Sequence, residues 1–108
     1  MNNEQFNKLV KERFGQCEAI LCKKADEYAS DTDRLHNFKV AARVNQCSPE
    51  QALWGMYSKH LVSVMDMFQA PDRVTAEQIK EKIGDSINYH MLLEALLVER
   101  LERGGIVI

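Results

Sequence analysis

The sequence predicts an all-α protein, a helical bundle of two long and two shorter helices completed by oligomerisation. Three observations carry this. Apolar residues recur at three- and four-residue intervals through four stretches, the period of a helix with one buried face. Capping and breaking residues frame those stretches. No window shows the strict alternation of a half-buried strand, the closing Ile106-Val107-Ile108 alone excepted.

The first helix is expected over Asn2–Ala29, with Phe6, Leu9, Val10, Phe14, Cys17, Leu21, Ala25 and Tyr28 as its apolar stripe. Gly15 interrupts it at a cost of about 1 kcal/mol relative to alanine. Ser30-Asp31-Thr32-Asp33 should end it, because these side chains compete for backbone hydrogen bonds. A short second helix spans roughly Arg34–Asn45, with Leu35, Phe38, Ala41, Ala42 and Val44 as its apolar set. Ser48 as N-cap and Pro49 at the first helical position open a third helix that runs to about Gln69. It is expected to bury Leu53, Trp54, Met56, Tyr57, Leu61, Val64, Met65 and Phe68.

The fourth helix is the longest unbroken pattern, Thr75–Arg103. Thr75 and Gln78 form a capping box at its start, and Gly104-Gly105 follow its end. Its apolar positions near Met91–Val98 occupy more than one face, and the two long helices outreach their shorter partners. Self-association as a dimer or tetramer is therefore expected.

The chain of 108 residues reads as one domain, 1–108. With 16 acids against 14 bases there is no basic excess to attract nucleic acid or an anionic membrane surface. No signal-peptide pattern opens the chain and no apolar run approaches the roughly 20 residues of a membrane span, so a cytoplasmic protein is expected. Cys17, Cys22 and Cys47, odd in number and without CxxC spacing, read as thiols of a reducing compartment.

Three constellations could carry chemistry. Glu81, Asp85 and Asn88 lie at helical offsets that stack two carboxylates and an amide along one side of the fourth helix. Such a pair either holds a divalent cation through hard oxygen ligands or forms a solvated face beside Lys80 and Lys82. Gly84 amid these residues permits close approach of another helix or a ligand. Around the end of the first helix stand Lys24, Asp26, Glu27, Tyr28, Asp31, Asp33, Arg34 and Asn37. They are either turn and cap chemistry or a set that needs a cation, with Glu27 the member turned inward. On the third helix, Lys59 and Ser63 share a face, and Lys59 could meet a phosphate as a point charge. Its neighbour His60 reads as a structural hydrogen-bonder. No GxGxxG, Walker loop, HExxH or serine-nucleophile motif is present.

Glu81-Lys82-Ile83-Gly84-Asp85 followed by an apolar helix resembles the EExGD signature of the MazG-like, all-α nucleoside triphosphate pyrophosphohydrolases. Lys24-Ala-Asp-Glu-Tyr28, Arg34, Asn37-Phe38, Lys59-His60 and Asn88-Tyr89 are similar to small phage and bacterial relatives of that superfamily. The resemblance covers about Lys24–Leu97. It implies a dimeric or tetrameric bundle that binds Mg²⁺ through helix carboxylates and splits a (deoxy)nucleoside triphosphate into monophosphate and pyrophosphate. Carried over, it gives Glu81 and Asp85 as catalytic and, with Glu27, as metal ligands; Lys24, Lys59, Asn88 and Tyr89 fall to substrate. Lys82 replaces the signature's second glutamate and the first-helix EExxE pattern is missing. The alternative is thus a non-catalytic helical nucleotide-binding or phage accessory module that has lost part of the metal site.

Overall fold

A computed structural model describes residues 1–23 and 33–105. The expected tail of the first helix, with Lys24 and Glu27, and the closing Ile106-Val107-Ile108 lie outside the described residues. Every described element is helical: α1 (Asn3–Lys23), α2 (His36–Asn45), α3 (Pro49–Gln69), a 3₁₀ turn (Pro71–Arg73), and a fourth rod, α4, over 76–103. The all-α expectation holds.

The starts form as their residues dictate. Asn2 and Gln5 exchange side-chain and backbone hydrogen bonds at 2.8 and 2.9 Å, a reciprocal box before α1. Ser48 with Gln51 and Thr75 with Gln78 do the same for α3 and α4. The second helix begins two residues later than expected, because Asp33 turns the chain first: its Oδ1 accepts from the Leu35 N–H at 3.0 Å. It closes on Gln46 in the left-handed conformation, φ 54°, whose N–H reaches back to the last turn.

α3 is central, packed on α2 and α4, while α1 lies against α4. The core is Leu35, Phe38, Leu53, Tyr57 and Leu96, with Leu61 and Leu92 partly buried against it. Two ionic ties fasten α4 beside this core. Lys39 of α2 reaches Asp33 at 2.7 Å and Glu99 at 2.6 Å, and Arg100 grips Glu50 through two nitrogens at 2.8 and 2.7 Å. The hydrogen bond from Lys39 holds the Asp33 carboxyl below its ordinary range, and Arg100 does the same to Glu50.

Two expectations need correction. Trp54, Met56, Met65 and Phe68 are not buried by α3; Trp54 is 56% exposed and Phe68 82%. A helix turns only part of its circumference toward two neighbours, and Leu53, Tyr57 and Val64 fill that arc. Nor is the fourth helix unbroken α-helix. It comprises Ala76–Gln78, a π-helical stretch Ile79–Ile83, and regular α-helix from Gly84 to Arg103. Its carbonyls at Ile79 and Lys80 accept hydrogen bonds from the Arg13 guanidinium of α1, at 3.1 and 3.0 Å.

Candidate functional site

A cavity of about 490 Å³ opens where the end of α1 meets α2, α3 and α4. Its greasy wall is Ile20 and Leu21 of α1, Phe38 of α2, Met56 of α3 and Leu92 of α4. Its polar wall is Arg34, Asn37, His60, Asp85, Asn88 and Tyr89. Helical spacing explains the α4 contribution: Asp85, Asn88, Tyr89 and Leu92 fall at offsets zero, three, four and seven, one face of the rod.

Several of these side chains are held in place. The Tyr89 ring stacks on Tyr57 at 5.2 Å with 9° between planes, and Tyr57 is itself fixed by a 2.7 Å hydrogen bond with Ser86. Burial, and then the neighbouring Asp85 charge, push the Tyr89 phenol up from its ordinary value, so it stays a neutral donor at physiological pH. Arg34 donates from one nitrogen to the Leu21 carbonyl at 3.3 Å, which fastens the cation at the α1 end of the cavity. His60 Nδ1 stands 3.2 Å from Asp85 Oδ2, yet off the line a hydrogen bond requires. Both side chains remain about a third exposed.

Asn88 is the most informative member. It is buried at 7% exposure, and its Oδ1 has no hydrogen-bond partner among the described residues. A buried amide oxygen left in that state costs about 1–3 kcal/mol. Its position on the cavity wall, one turn from Asp85, makes it an acceptor waiting for a donor or a cation. Asp85 and Asn88 are hard oxygen donors, and no group of three or more His, Cys, Asp or Glu side chains that could hold a metal ion is found among the described residues.

The structure brings together Asp85, Asn88 and Tyr89 from the expected set. Glu81 stands apart: it lies in the π stretch, 64% exposed, with Lys82 Nζ at 3.4 Å, and is not on the cavity wall. Of the stacked line expected from Glu81 to Asn88, the cavity wall takes Asp85 and Asn88. Lys59 is exposed and off the wall, whereas the adjacent His60 is on it. Lys24 and Glu27 fall outside the described residues.

Sequence reasoning named Arg34 and Asn37 within the charged set after the first helix and in the resemblance, without a specific role, expected Met56 in the core, and read His60 as a structural hydrogen-bonder. For His60 a signal existed, since it stands three residues after Tyr57 and four before Val64, both buried. For Arg34 and Asn37 the signal was the charged set itself; their place on the cavity wall depends on how α2 packs beside Leu21 of α1. Comparison with family models, curated proteins and solved structures gave no match to the chain.

Proposed function

We propose that this protein binds a nucleoside triphosphate in the α1–α4 cavity together with Mg²⁺, and hydrolyses it to the monophosphate and pyrophosphate. The observation that carries the reading is the pairing, in one cavity, of the Asp85 carboxylate and the partnerless Asn88 Oδ1 with the Arg34 cation and the Tyr89 ring. Arg34 would neutralise a phosphate, with its planar fork matching two oxygens at once. Tyr89, backed by Tyr57, offers a rigid face on which a base can stack. Asp85 and Asn88 would hold the ion, with Glu81 and Glu27 as further carboxylates from the resemblance and Lys24 and Lys59 as outlying cations for phosphate. Mg²⁺ there would offset phosphate charge and favour an ionised water. In the overall reaction water adds across the α–β phosphoanhydride, and pyrophosphate leaves with the bonding pair.

A second reading is favoured by a specific observation. Asp85 is the one carboxylate among the described residues on the cavity wall, while Glu81 faces solvent beside Lys82. That arrangement suits a module that binds nucleotide without turning it over.

Self-association belongs to the same proposal. Phe6, Leu9 and Phe14 of α1 are about half exposed or more, and the radius of gyration of 16.2 Å exceeds the roughly 13 Å of a compact chain this long. A cytoplasmic setting fits the cysteines, which are unpaired. No helix among the described residues is long and apolar enough to cross a membrane.

A thermal-shift panel of nucleoside triphosphates with and without Mg²⁺ tests the reading. Ligand at a hundred times its Kd should stabilise the fold by about 2.7 kcal/mol. Asp85→Asn should remove the Mg²⁺-dependent part. Arg34→Ala should weaken nucleotide binding about tenfold, the loss of a charge-assisted bond of roughly 1.5 kcal/mol. Pyrophosphate release separates hydrolase from binding module, and no shift with any nucleotide rejects both.

A further inference from the structure

We propose that Asn88 reads the base of the bound nucleotide by accepting a hydrogen bond from an exocyclic amine, so that the cavity favours cytosine or adenine over uracil or hypoxanthine. The inference rests on the reading of that cavity as a nucleotide site, and it gives Asn88 to the base instead of to an ion.

Among the described residues, two buried side-chain polar atoms lack a partner, His60 Nδ1 and Asn88 Oδ1. Both belong to residues of this one cavity wall. Packing alone does not account for the amide. Gly84, Asn88, Leu92 and Leu96 stand four apart along α4, and Leu92 and Leu96 belong to the core packing. An apolar side chain in place of Asn88 would continue that stripe and leave no acceptor unpaired. Asparagine there suits a site that hydrogen-bonds its ligand, and such a site rejects the analogue that lacks the bonding group.

The sense of the bond follows from the neighbours. Asp85 is one turn before Asn88 on the same face, so two acceptors stand together on the wall. An amine brings two hydrogens to such a pair. The ring N–H of uracil lies between two carbonyl oxygens, and that edge would set an oxygen against the Asp85 carboxylate. Cytosine and adenine also carry a ring nitrogen beside the amine, which the amide N–H of the same asparagine can meet, as in the two-bond pairing of asparagine with adenine.

The geometry makes the bond count. The last torsion of an asparagine is broad, so its amide turns toward a ligand at little cost. Because Oδ1 is unpaired in the free protein, the new bond replaces none that the protein already makes. Tyr89, next along the helix and stacked on Tyr57, gives the base a flat neighbour. Arg34, fastened to the Leu21 carbonyl, is left for phosphate.

Calorimetric titration of the protein without Mg²⁺ tests this with two matched pairs, CTP against UTP and ATP against ITP. Two further ligands, the triphosphates of pyrimidin-2-one riboside and purine riboside, replace the amine by hydrogen and add no bulk. The amino member of each pair should bind about tenfold tighter, and replacing its amine by hydrogen should lose about the same factor. Asn88→Leu removes the acceptor at nearly constant volume. In that variant both differences should vanish while UTP affinity is retained. The ligand series in the wild-type protein decides the matter even where the variant does not fold. Keto bases that bind as tightly as amino bases overturn the inference, as does an amine whose removal costs nothing or a preference that survives Asn88→Leu. Each of these leaves the nucleotide reading in place. Binding of no nucleotide at all rejects that reading, and the inference with it.

Discussion

α1 and α3 are each 21 residues long, and each starts from a reciprocal capping box. Their fates differ. α3 buries Ala52, Leu53, Tyr57 and Val64, whereas α1 buries only Cys17 and leaves Phe6, Leu9 and Phe14 facing outward. Periodicity makes a helix amphipathic, but the number of neighbours decides how much of the apolar stripe leaves water. α3 has α2 on one side and α4 on the other, while among the described residues α1 packs mainly on α4. The difference matters at the cavity. The α3 side supplies fixed groups, Tyr57 behind Tyr89 and His60 beside Asp85. The α1 side supplies the greasy lip and the Arg13 contact.

The sharpest way to break this comparison is truncation in the two helices. Leu53→Ala, at 2% exposure, should cost about 3 kcal/mol by leaving a cavity in the core. Phe14→Ala, at 61% exposure, should change the stability of the isolated chain by no more than about 0.5 kcal/mol. Urea unfolding reads both. If Phe14→Ala proves as damaging as Leu53→Ala, α1 is packed in solution. Sedimentation of Phe14→Glu would then report whether the packing partner is a second copy.

A smaller difference is expected at the caps. Ser48→Ala should cost about 1 kcal/mol, because α3 is integral to the core and its first turn cannot fray freely. Asn2→Ala should cost only a fraction of that, since the first turn of α1 unravels into solvent. Amide exchange at Gln51 and Gln5 would show which box protects its helix. Equal losses of protection would erase the distinction.

The smallest effect is on acid stability. Arg100 holds Glu50 below its ordinary value of 4.5, so this pair stabilises the fold above that pH and loses its contribution as pH falls through the lowered value. Lys39 is raised above 10.5 by Asp33 and Glu99, so its contribution is intact at neutral pH and disappears only on the alkaline side. Glu50→Gln should flatten the acid limb of a Tm-against-pH curve and leave the alkaline limb unchanged. An acid limb that stays as steep would mean that other carboxylates carry it.

The helices were legible because their signals are local: Ser48-Pro49, the Thr75 and Gln78 box, and the three-four spacing of apolar residues each act within a turn or two. Half of the candidate site was legible for the same reason, since Asp85, Asn88 and Tyr89 share a face by spacing alone. Arg34 and Asn37 were legible as part of a charged set but not as cavity wall, because that placement depends on long-range packing beside Leu21. The burial of α3 was overestimated, since Trp54 and Phe68 are as apolar as Leu53 and sequence does not say which arc meets a neighbour.

By itself, then, the sequence determined an all-α chain and most of its helix boundaries, because capping and periodicity are short-range physics. Only the tertiary structure decided that Arg13 crosses Gly84 to meet the Ile79 and Lys80 carbonyls, and that Asp85 lines the cavity while Glu81 stands exposed beside Lys82. The Arg13 contact joins residues more than sixty positions apart, and no local pattern encodes a contact at such range.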